Sequence, residues 1–293
     1  MSTDEKLLSY NQRGLIPGPN ETNEQYYQRV DFCEKFFLDP ASFFSDCSFS
    51  LKDRVVRQDL DWVYAKLLKT YDIAPDYLVA FYSDKDLYFF QGACTWVFDY
   101  KKHSLAVVQL RKKLKKKKYF FYDREEILTH EMAHLARMAF DEKSEEMFAY
   151  LLSSSVFRRA FGALVHDEKE VIFFFILFFV SIFSFVFSSY FSFLTSVFNI
   201  FSFATFGYLS LGLYRLFKQK RVLKKAAHKL LKVVKFQRSV RAVLFRMSDK
   251  EILQFTKMSP QQIVEFVHKQ KTQSLRWRMI FLAYFSKVEN KIN

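Results

Sequence analysis

The chain has 293 residues, half of them hydrophobic and 19% aromatic, with only 6 Gly and 5 Pro, which excludes a disordered, collagenous or low-complexity polypeptide. Its formal charge of +14 is uneven: residues 1–170 carry 25 basic and 27 acidic groups, residues 171–216 carry Arg215 alone, and residues 217–293 carry 19 basic and 4 acidic. A near-neutral domain (1–165), an apolar block (171–217) and a basic tail (218–293) are expected.

Cys33, Cys47 and Cys94 are odd in number and show no C-x-x-C spacing, so no disulfide framework is expected and a reducing compartment fits. The polar N-terminus lacks the basic start and apolar core of a secretory signal. Gly14, Pro17, Gly18 and Pro19 predict an irregular lead-in over residues 1–20, followed by helix over 21–37. Val55, Val56, Leu60, Val63, Leu67 and Leu68 recur at helical spacing, predicting a helix over 51–71 that ends before Pro75. Runs rich in Val, Phe, Tyr and Trp then predict strands at 77–82, 87–91, 95–100 and 105–110, forming a small antiparallel or mixed sheet. From Arg111 to Lys118 seven of eight residues are basic, which reads either as a solvated loop or as a contact with anionic lipid headgroups.

Next comes His130-Glu131-Met132-Ala133-His134. On a helix, imidazoles four residues apart lie one turn apart on one face and can share a metal ion. Asp123, Glu125 and Glu126 precede the motif, where a helix N-terminus favours acids, and no Pro or Gly interrupts the run. Catalytic Zn²⁺ takes three protein ligands and keeps one position for water, whose pKa falls to about 7. Glu131 is the candidate general base for that water. Third-ligand candidates follow a short turn at 141–144: Glu145 and Glu146, at the start of a second helix that includes Met147-Phe148-Ala149-Tyr150.

These residues resemble the zincin metallopeptidases, specifically the gluzincin-like branch whose third ligand is a glutamate on a following helix. The similarity covers about residues 127–152. It implies one Zn²⁺ per chain held by His130, His134 and Glu146, with Glu145 as the alternative, and an α+β catalytic domain whose sheet edge holds an extended peptide. The 11-residue spacer between His134 and Glu146 is shorter than in the best-known members, and their Gly is Met147 here. Tyr150 is a candidate transition-state stabiliser, with Tyr122, Arg137 and His103 as further donors. Arg137 is otherwise expected to pair with Asp141 or Glu145.

Residues 171–214 contain 14 Phe and no charge. A bilayer core needs about 20 apolar residues as helix, so this block supplies two spans, expected near 171–188 and 194–217. Arg215, Lys218, Lys220, Arg221, Lys224 and Lys225 follow the second span while the turn between the spans has no basic residue, so both termini and the catalytic domain are expected on the cytoplasmic side. Beyond Phe217, Val222, Ala226, Leu230, Val233 and Val234 predict a basic amphipathic helix, and the segment from Lys218 to Arg246 is a second candidate for anionic headgroups. Ser248…Glu251 and Ser259…Gln262 are capping boxes opening two more helices, and a third is expected over 273–284. No base-reading motif stands out in this small all-α basic domain, so nucleic acid is not the favoured partner.

The combined expectation is a membrane-anchored zinc endopeptidase acting on polypeptides. The alternative is a non-catalytic membrane adaptor with a structural metal site, whose basic tail binds anionic lipid, acidic partners or nucleic acid.

Overall fold

The computed structural model describes residues 2–40, 50–88, 91–100, 103–120, 122–164 and 168–286. Cys47, and Phe89 and Phe90 of the strand expected over 87–91, lie outside them. The chain is mostly helical with a small sheet.

The lead-in is ordered, contrary to expectation. Ser2 and Glu5 form a capping box that opens α1 (Thr3–Gln12), whose Leu7 and Tyr10 are buried. Thr22 and Gln25 do the same for α2 (Asn23–Leu38). The helix expected from residue 51 starts only at α3 (Asp61–Tyr71). The preceding backbone is drawn to the sheet, with Arg54 bridging Phe81 and the Val55 N–H donating to the Ala80 carbonyl at 2.8 Å.

Strands β1 (Ala80–Tyr82), β2 (Ala93–Tyr100) and β3 (His103–Leu110) form a mixed sheet in the order β1-β3-β2, with β1 parallel and β2 antiparallel to β3. The described part of the strand expected over 87–91 is loop. Its carbonyls are taken by the Arg111 guanidinium, which donates to Gln91 at 2.8 Å and Leu87 at 3.3 Å in place of a ladder partner. The lysine run forms a 3₁₀ turn (Lys112–Lys116) before the two-residue strands β4 (Lys118–Tyr119) and β5 (Tyr122–Asp123).

Then follow α4 (Arg124–Ala136), α5 (Glu145–Leu151), α6 (Val156–Phe161), α7 (Glu168–Phe187) and α8 (Phe193–Val234). α7 and α8 are long and apolar enough to cross a membrane. Their packing is inverted relative to a soluble bundle. Ser181 and Ser184 are buried between them, with Ser181 Oγ 2.7 Å from Ser202 Oγ, while Phe179, Phe183 and Phe203 face outward. Glu170 and Arg215 pair at 2.9 Å at the base. The second span and the basic amphipathic helix are one 42-residue helix, roughly 63 Å long, because no Pro or cap intervenes after Phe217.

The basic tail continues as α9 (Gln237–Phe245), α10 (Asp249–Phe255), α11 (Pro260–Gln273) and α12 (Leu275–Ile280), ending in a π turn (Phe281–Phe285). Both expected capping boxes open α10 and α11. These helices share one hydrophobic core with the first half of the chain: Leu67, Tyr71, Met132 and Phe148 pack together with Leu230, Val243, Phe245 and Trp277. The Tyr71 ring stacks on Phe245 with centroids 4.2 Å apart. Buried Arg246 donates to Asn11 Oδ1 at 2.6 Å and to the Tyr71 carbonyl at 2.9 Å.

Candidate metal centre

Asp123 caps α4 by accepting from the Glu125 N–H at 3.0 Å. Leu128, Met132, Leu135 and Ala136 then commit one face to the core. The remaining face turns His130, Glu131 and His134 toward β2 and α5. Past α4 the chain reverses at Asp141, whose φ of 49° lies in the left-handed region that Asp tolerates. That turn packs α5 against α4.

Glu146 is thereby brought to both imidazoles. His130 Nε2 lies 3.3 Å from His134 Nε2 and 3.6 Å from Glu146 Oε2, and His134 Nε2 lies 3.3 Å from Glu146 Oε1. One donor atom from each side chain lies within 4.8 Å of the other two, Glu146 turning Oε2 to His130 and Oε1 to His134. Among the described residues these three form a group able to hold a metal. Glu145 faces the other ring nitrogen, with Oε2 3.7 Å from His134 Nδ1, the position of a carboxylate that orients a ligand.

The charges are consistent with a cation site. Burial, helped by its neighbour His134, lowers His130 to about 4. Burial also disfavours charged His134, but Glu145 and Glu146 override it and hold that imidazolium at about 10.

Glu131 lies beside the triad, 8% exposed, and its Oε2 accepts from Thr95 Oγ1 of β2 at 2.7 Å. Burial pushes its carboxyl up. Tyr150 sets its ring edge-on to His130 at 4.5 Å, and burial raises its phenol. A Cβ at Gly162 would overlap the Tyr150 ring, so this glycine makes the ring's position possible.

A cavity of about 470 Å³ opens on Glu131, His130 and Glu146 and is walled by Gly92, Tyr122, Tyr150, Phe157, Phe161 and Val171. Tyr122 therefore reaches the site, beneath the guanidinium of Arg158 at 5.6 Å. Arg137 does not. Instead of pairing with Asp141 or Glu145 it is buried and donates to the carbonyls of Phe245 and Met247. The His103 side chain lies outside the described residues.

Sequence reasoning missed Thr95, Gly162 and the brace in which Arg158 pairs with Glu126 at 3.2 Å while Ser154 Oγ donates to Glu126 at 3.0 Å. Thr95 carried no signal, since its partner is 36 residues away. Comparisons with protein-family models, curated proteins and solved structures find no match.

Proposed function

We propose that the chain is a zinc-dependent peptidase of the zincin type, anchored in a membrane by the α7–α8 hairpin. The observation that carries this reading is the convergence of His130, His134 and Glu146 to within 4.8 Å of one another, with Glu131 alongside in a cleft. His130, His134 and Glu146 would hold Zn²⁺, which supplies Lewis acidity toward a peptide carbonyl and lowers the pKa of water.

The chain's own residues carry the rest. Glu131 accepts a proton from the attacking water at Oε1 or Oε2 and returns it to the leaving amine. Burial lifts its basicity, and the opposing hydrogen bond from Thr95 fixes its rotamer. Glu145 holds His134 in the tautomer that presents Nε2 to the metal. Tyr150 and Tyr122, both on the cleft wall, are the donors for developing negative charge. β2 pairs only with β3 among the described residues, so its outer edge beside the cleft is the place for an extended peptide.

The outward Phe belt of α7 and α8, with serines turned inward, supports insertion in lipid, where apolar surface needs no protein cover. The basic residues at the base of α8 support a cytoplasmic catalytic side.

Purified protein is expected to hold about one zinc per chain and to cleave β-casein. Glu131→Gln should abolish cleavage while keeping the zinc. Bound zinc without turnover across broad peptide libraries would instead favour the adaptor, and absence of any bound metal would sink both.

A further inference from the structure

The cleft does not end at the metal-binding residues. Its lining also includes Val171, the residue next to Glu170, whose pair with Arg215 marks the base of the hairpin, together with Phe157 and Phe161 of α6. Val156 and Phe157 are 73% and 72% exposed. α6 is tied to α8, because Lys220 Nζ donates to the carbonyls of Arg159 at 3.2 Å and of Ala160. Lys220 follows Arg215 by five residues, about 7.5 Å along the same helix. The polar headgroup layer adds about 5–7 Å to each side of a bilayer core. With the bilayer core ending at Arg215, α6 would sit at the outer edge of that layer, where the exposed Val156 and Phe157 could rest against lipid as in interfacial helices.

Resting on the peptidase reading above, we propose that the substrates are membrane-anchored polypeptides, cut in the segment that adjoins their own anchor. A soluble chain would have to approach through the headgroup layer past Phe157 and Phe161. A segment emerging from the bilayer beside α7 meets Val171 first and then runs along the cleft to Glu131 and Glu146. The apolar rim suits such a segment, whose residues nearest the anchor are themselves apolar or aromatic.

The test uses the full-length zinc-loaded protein in liposomes with a reporter in which a β-casein segment is joined to a transmembrane helix. Linkers of increasing length allow the casein sequence to move away from the bilayer by at most about 33 Å per ten residues. Cut sites are mapped by mass spectrometry, and soluble β-casein in detergent reports peptidase activity. The expected result is a cut at constant distance from the bilayer, so that each ten-residue insertion shifts it by about ten residues in the casein sequence. Cuts that follow the casein sequence at any distance would overturn the proposal and leave the peptidase standing. No cutting of either reporter would overturn both. As a measurement independent of turnover, a photo-crosslinking residue at Val156 should capture phospholipid, as one at Phe179 in the outward belt should. Capture at Phe179 alone would remove α6 from the interface and the proposal with it.

Discussion

His134 stands between two carboxylates that face different ring nitrogens, and substitutions should separate them. Glu146→Gln is expected to remove most zinc affinity, because it replaces a charged donor that reaches both histidines. Glu145→Gln should keep one zinc at saturation but weaken its affinity about 10–100-fold, the usual cost of losing an orienting carboxylate. Competition with a calibrated chelator measures both; equal losses would mean that the two glutamates are interchangeable. Gly162→Ala should displace the Tyr150 ring and lower turnover with zinc content unchanged. The spacing of His130, Glu131 and His134 was legible in the sequence because a helix converts four residues into one turn. The choice of Glu146 was only weakly legible, since adjacent glutamates differ by about 100° around a helix and the seat of α5 decides which one points inward. Thr95 was not legible at all, because its role exists only once β2 is packed beside α4.

At the scale of elements, the position of α5 depends on α8. Met147, next to Glu146, packs with Ala163 and fully buried Leu216 in a small cluster. Leu216→Asp would bury a carboxylate there and is expected to cost more than about 2 kcal/mol in detergent-solubilised denaturation, with a parallel loss of zinc affinity. A destabilised variant with wild-type zinc affinity would break the link between α8 and the site. The helices α10 to α12 are tied by Glu251. Burial opposes its ionisation, but Arg276 at 2.8 Å on both oxygens and Trp277 Nε1 at 2.7 Å hold its carboxyl below the ordinary value. A depressed carboxyl contributes stability that is fully present above about pH 4.3 and lost as pH falls through its lower folded value. Glu251→Gln should therefore lower stability at pH 7 and flatten the acid limb of the stability profile. The capping boxes of α10 and α11 were read from the sequence because each lies within a few residues, while the equally local boxes that open α1 and α2 were passed over. The false helical start at residue 51 shows the opposite case, in which apolar spacing was genuine but β1 claimed the backbone.

For the whole molecule, the consequential fact is the shared core. Trp277, Phe245 and Leu230 are as deeply buried as Met132 and Phe148 and belong to the same cluster. Deleting residues 237–286 should therefore leave the first 165 residues unable to fold, seen as protease sensitivity and loss of zinc. A stable, zinc-binding truncated protein would show that the tail is dispensable. The Phe belt predicts that alkaline carbonate extraction leaves the protein in the membrane pellet, and that replacing Phe179 and Phe183 with Asp impairs this retention. The sequence by itself determined the one-turn spacing of His130 and His134, the length of the apolar hairpin and the caps of the last helices, because each depends on helix geometry or on side chains a few residues apart. Only the tertiary structure decided that Glu146 closes the triad, that the cleft reaches Val171, and that the basic tail completes the core around the site. Those outcomes depend on contacts between residues tens to hundreds of positions apart, which helical and strand periodicities do not encode.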